Sequence, residues 1–113
     1  MTYSARNPHP KHVYFLRRTD GVGPVKIGCS RLPLVRFREF FRWSPEELGL
    51  LALTPGGHDM ERKLHHLFGA DRLHMEWFAP TDRLMALIAC VKAGDDIEAA
   101  IERSAIAPMS RAA

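Results

Sequence analysis

The sequence predicts a small α/β (α+β) domain in which a three-stranded antiparallel sheet is flanked by helices. Three observations carry that expectation. Two short runs rich in β-branched and aromatic residues, "HVYFLRR" and "VKIG", are separated by the turn signal "TDGVGP", the pattern of a β-hairpin. A third apolar run, "LGLLALT", is closed by Pro-Gly-Gly and reads as a buried strand. The intervening and later segments switch to apolar residues three or four apart, the spacing of amphipathic helices.

In chain order, the first strand covers His12 to Arg18 and the second returns through Val25 to Gly28. Pro33 suits the first position of a helix. Leu34, Phe37 and Phe41 recur behind it, and the helix ends near Trp43 and "SPEE". The third strand runs from Leu48 to Thr54. "HDMERKLHHLF" places Met60, Leu64, Leu67 and Phe68 on one face of a second helix, stopped by Gly69. "HMEWFAP" is a short extended piece, with Trp77 and Phe78 assigned to core packing under that helix. Thr81 or Asp82 caps a third helix that ends at Gly94, and "DDIEAAIER" forms a last short one. The 113 residues suffice for one hydrophobic core. The expected organisation is an arm at 1–11, a single domain over 12–103 and a tail at 104–113.

The composition is that of an ordinary globular protein, with 46% hydrophobic and 26% charged residues. No apolar run approaches the ~18 residues of a membrane span, and "MTYSARNPHPKH" has no apolar signal segment. A cytoplasmic location without membrane association is therefore expected. Cys29 and Cys90 belong to no CxxC pair and read as free thiols. The net charge of +3 is unevenly placed. From Lys11 to Arg42 eight cations face only Asp20 and Glu39, a net of +6, so the remainder is negative. That asymmetry points to a polyanionic partner, with nucleic acid first among the candidates.

Three polar residues stand out: Tyr14 in the first strand, Arg36 one turn into the first helix, and Glu61 near the start of the second. A carboxylate suits that last position because of the helix dipole. Singly, each has a structural explanation: a wet strand hydroxyl, a solvated cation, an N-terminal dipole residue.

Together they resemble a known family. "VYF" (Val13 to Phe15) and "KIG" (Lys26 to Gly28) are similar to the paired tripeptides of the GIY-YIG nuclease superfamily. Arg36 falls eight residues beyond Gly28, where that family has its arginine, and Glu61 in "MERKLHHLF" matches its metal-binding glutamate. The KIG variant, the "E…LH…F" helix and "EWF" (Glu76 to Phe78) resemble a compact, phage-associated branch. The likeness spans roughly His12 to Phe78. His12 stands in place of the first motif's glycine, Lys26 in place of the second tyrosine, and Phe40 where some members have a histidine.

The resemblance implies a metal-dependent endonuclease acting on DNA, with Tyr14, Lys26, Arg36 and Glu61 as catalytic residues. Glu61 is the implied ligand of one divalent cation, Mg²⁺ or Mn²⁺. The chemistry agrees with these residue types. A guanidinium is always charged and binds two phosphate oxygens at once. One carboxylate suffices for a Mg²⁺ that keeps most of its waters. A tyrosine that orients or deprotonates water needs a nearby cation, and Lys26 on the neighbouring strand suits that role. Arg31, Arg38, Arg42 and His65 are the expected nucleic-acid contacts. His58, Glu61 and His65 share one helix face, but their spacing is not a recognised zinc motif. His66 and His74 read as surface residues. A chain this short needs a structured or branched DNA, a partner protein or a homodimer to choose its site. The alternative is a catalytically inactive nucleic-acid-binding module of the same fold, and a third reading is an interaction domain with a solvated basic face.

Overall fold

A computed structural model describes residues 10–32, 35, 38 and 47–103. Strand β1 (His12–Arg18) turns back into β2 (Val25–Ser30), and β3 (Leu48–Pro55) follows. Helix α1 (His58–Leu67) leads through a 3-10 turn (Gly69–Asp71) to β4 (Arg72–His74) and β5 (Trp77–Phe78). Helices α2 (Asp82–Lys92) and α3 (Ile97–Arg103) complete the described elements. Of the helix expected from Pro33, Val35 and Arg38 are described; both are helical and exposed.

The β1–β2 hairpin forms as its turn chemistry dictates. Asp20 accepts from the Val22 amide and pairs with Arg18, while Gly21 and Gly23 take positive φ, which costs glycine little. The antiparallel register sets Tyr14 opposite Gly28 and Leu16 opposite Lys26. On its other side β1 pairs with β3, with a bulge between Phe15 and Leu16.

The sheet has five strands in the order β3-β1-β2-β5-β4, which corrects the expected three. The difference lies in "HMEWFAP". The chain folds there into a hairpin whose β5 pairs Trp77 with Lys26 and Phe78 with Val25. Met75 makes this turn possible by adopting φ 52°, the one positive-φ residue other than glycine among the described residues. Its side chain is 64% exposed, so the conformation carries a steric cost that little packing offsets. Left-handed backbone costs an ordinary residue roughly 1–2 kcal/mol, and extra chain entropy returns part of that when glycine is substituted. Met75→Gly is therefore expected to hold or slightly raise the melting temperature. Thermal unfolding that drops by several degrees would show that the Met75 side chain contributes packing.

Strand alternation divides the core from the site. Val13, Phe15, Val25 and Ile27 point to the face on which the helices pack and are fully buried. Leu64 and Leu67 of α1, Leu84, Leu87, Ile88 and Val91 of α2, and Ile97 and Ile101 of α3 close that core. The opposite face carries Tyr14, Leu16, Lys26 and Gly28, all of them buried. Helix α2 begins at Thr81, whose hydroxyl accepts from the Leu84 amide at 3.4 Å. Past its end Gly94 has φ 100°, the left-handed stop expected from the sequence. Cys29 and Cys90 are both free thiols. No helix among the described residues is long and apolar enough to cross a membrane.

Candidate active site

Gly28 organises the site. Tyr14 and Gly28 are cross-strand partners, and the tyrosine ring lies over the space that a side chain at 28 would occupy. A Cβ built there would fall 2.7 Å from Tyr14 Cε1 and closer still to Cζ and the hydroxyl. The phenol is thus seated in a notch that only glycine leaves open, and Tyr14 is 3% exposed. Lys26 is two residues away on the same face of β2, a cross-strand diagonal from Tyr14 of about 7–8 Å between backbones.

The Lys26 ammonium is held on two sides. Its Nζ donates to Glu76 Oε1 at 2.8 Å and lies 5.4 Å from the centre of the Trp77 ring. Only 10% of its side chain is exposed. Burial of an ammonium is tolerated where a carboxylate and an aromatic face compensate the lost water. Trp77 and Phe78 therefore divide: Phe78 is fully buried against His65, 5.0 Å between ring centres, whereas the half-buried Trp77 supports Lys26. The expectation that both belong to the core under α1 holds for Phe78 alone.

Glu61 sits in the first turn of α1 with its side chain 14% exposed, and His58 Nδ1 lies 3.3 Å from its Oε1. Because a carboxylate only accepts, a hydrogen bond there requires the proton on Nδ1. Cys29 follows Gly28 on β2. Its thiol is pushed above the ordinary cysteine range first by burial, then by the charge of Glu61, with Glu76 adding and Lys11 opposing. Among the described residues β5 pairs with β2 at Val25 and Lys26, and the Ile27 amide is taken by Glu76 O at 3.0 Å. The raised pKa also makes Cys29 a poor nucleophile at neutral pH.

His65 is half-buried, with Nε2 3.1 Å from Ile27 O. A carbonyl cannot donate, so Nε2 carries the proton. The His58–Glu61–His65 face seen in the sequence is consequently split: His58 turns to Glu61 and His65 to β2. Among the described residues no three His, Cys, Asp or Glu side chains converge to hold a metal. Arg31 and Arg38 are exposed, as are His66 and His74. Arg36 and Arg42 lie outside the described residues.

Two contacts went unread in the sequence. The Glu76 partnership with Lys26 spans fifty residues of chain; its only signal was the position of Glu76 beside Trp77. The His58–Glu61 pair was visible in principle as an i, i+3 spacing on a helix.

The T5orf172 domain model matches residues 11–101. The chain belongs to the T5orf172 domain family. This family is phage-associated and nuclease-related, and its match takes in every described member of the site, from Tyr14 to Glu76. No curated protein and no solved structure gives a significant match. Within this T5orf172 domain, Tyr14, Lys26 and Glu61 come from β1, β2 and α1, with Tyr14 and Lys26 on one face of the sheet.

Proposed function

We propose that this T5orf172 domain is a metal-dependent endonuclease of the GIY-YIG type, hydrolysing DNA phosphodiester bonds through Tyr14, Lys26, Arg36 and Glu61. The observation that carries the reading is the buried Tyr14 phenol seated on Gly28, on the sheet face that also carries Lys26. A buried phenol that shares its sheet face with a cation is suited to orient water and to take its proton, because a nearby positive charge favours the phenolate. Arg36 suits the non-bridging phosphate oxygens, where a guanidinium counters the charge that develops in the transition state.

Glu61 is the residue to hold the divalent cation. Its largely buried carboxylate is a hard oxygen donor, and the absence of a third clustered ligand among the described residues is compatible with Mg²⁺ or Mn²⁺, which keep several waters. It fits a structural zinc poorly. When bound, the cation supplies Lewis-acid stabilisation of the phosphate and its leaving oxygen. Arg31, Arg38, Arg42 and His65 are proposed contacts to the DNA backbone. A structured or branched DNA, a partner protein or a second copy would supply selectivity, and a cytoplasmic setting suits such a substrate.

The second reading, an inactive nucleic-acid-binding module, draws on the same geometry, since Lys26 is already engaged by Glu76 and Glu61 by His58. Plasmid and branched DNA incubated with Mg²⁺ or Mn²⁺, against an EDTA control, separate the two. Metal-dependent nicking is expected, together with DNA affinity that falls steeply with salt as Lys and Arg contacts release counterions. Salt-sensitive binding without nicking under either metal would leave the binding module. Absence of binding at low salt would remove both readings.

A further inference from the structure

The Lys26–Glu76 pair exceeds what the proposed chemistry requires. A catalytic cation needs to approach phosphate, yet this one is bound at 2.8 Å to a carboxylate from another hairpin. The scaffold behind that carboxylate is itself pinned. Glu76 gives its carbonyl to the Ile27 amide, so its backbone is fixed one residue from Lys26. The root of the hairpin is fixed by Asp71, whose carboxylate accepts from Thr81 Oγ1 and Arg83 Nε and whose carbonyl accepts from the Ala79 amide. Arg83 in turn donates to Leu67 O at the end of α1. Glu76 is therefore presented to Lys26 by a rigid element tied to both neighbouring helices.

A lysine side chain has four rotatable bonds, and its ammonium would otherwise sample many positions. A catalytic group loses much of its effect when displaced by an ångström. Resting on the nuclease reading, we propose that Glu76 is a positioning residue: it fixes the Lys26 ammonium over Trp77, on the Tyr14 face, so that the cation is already in place when a DNA phosphate arrives. Glu76 then acts through Lys26 and touches no substrate atom. The side chain of Glu76 is 39% exposed, so it can be replaced with little effect on the core.

The test uses the full chain, ¹⁵N-labelled, and Glu76→Gln, which keeps size and backbone contacts while removing the charge. Ammonium protons give a ¹H–¹⁵N signal when an ion pair shields them from rapid exchange with water. Wild-type protein is expected to show one for Lys26, identified by its loss in Lys26→Met, and Glu76→Gln is expected to lose it with the melting temperature held within a few degrees. In DNA nicking, Glu76→Gln should lower kcat on the order of 10-fold with KM little changed, and Lys26→Met/Glu76→Gln should be no slower than Lys26→Met alone. Glu76→Asp, which retains the charge, should recover part of the rate, and Glu76→Ala serves in place of Glu76→Gln should the latter fail to fold. A Lys26 signal that persists in Glu76→Gln, or additive losses in the double variant, overturns the proposal. Wild-type protein that shows the signal but never nicks DNA overturns the nuclease reading instead, and the positioning role of Glu76 in catalysis with it.

Discussion

Glu61→Gln is expected to lower metal-dependent DNA cleavage by a factor on the order of 10² or more, the loss typical of an electrostatic catalytic group. The substitution keeps the size and helical propensity of the side chain and removes the charge that would hold Mg²⁺. The His58 contact can still be made to an amide oxygen, so α1 should remain in place. DNA binding should persist or tighten, because a negative charge near phosphate has gone. Initial nicking rates across a Mg²⁺ titration, paired with binding measured in EDTA, check both halves. A variant that cleaves at the wild-type rate would remove Glu61 from the reaction. One that loses binding and cleavage together would assign it to the fold.

The second large effect is expected at Gly28. Gly28→Ala places a methyl group where the Tyr14 ring lies. That ring lies over Gly28 and is almost fully buried, so either it or the strand must shift. Overpacking of this kind costs about 1–3 kcal/mol, a fall in melting temperature on the order of 5–10 °C for a domain of this size. Because the clash reaches the phenolic oxygen itself, cleavage should fall further than stability explains, at temperatures where the variant is still folded. Tyr14→Phe separates the two effects: it keeps the ring and the fold and removes only the hydroxyl. An alanine at 28 that changes neither melting nor cleavage would show that the phenol does not depend on the notch.

The parts of this fold legible in the sequence were those set by near neighbours. "TDGVGP" announced the hairpin through an Asx turn and two glycines with positive φ, and both devices are present. Thr81 or Asp82 and Gly94 marked the two ends of α2, and the structure makes Thr81 the cap. Met60, Leu64, Leu67 and Phe68 followed the helical period and face the core. The site was legible in part for the same reason. Tyr14, Lys26 and Glu61 sit at motif positions whose spacing along the chain implies the strand or helix that carries them.

What escaped the sequence was lateral pairing. "HMEWFAP" contains no glycine or proline at its turn, and the positive φ that closes the hairpin falls on a methionine, so turn chemistry could not reveal it. Its strand forms because β2 offers an unpaired edge at Val25 and Lys26. Once β5 takes that edge, alternation sends Phe78 to the helix face and Trp77 to the Tyr14 face. The same pairing delivers Glu76 to Lys26 across fifty residues. The sequence alone thus determined β1 to β3, the helices α1 to α3, their caps and the residue types able to act on phosphate, because these depend on contacts within a few residues. Only the tertiary structure decided the number of strands, the division of Trp77 from Phe78 and the carboxylate that holds Lys26, because an open strand edge is a property of the assembled sheet and has no signature in local periodicity.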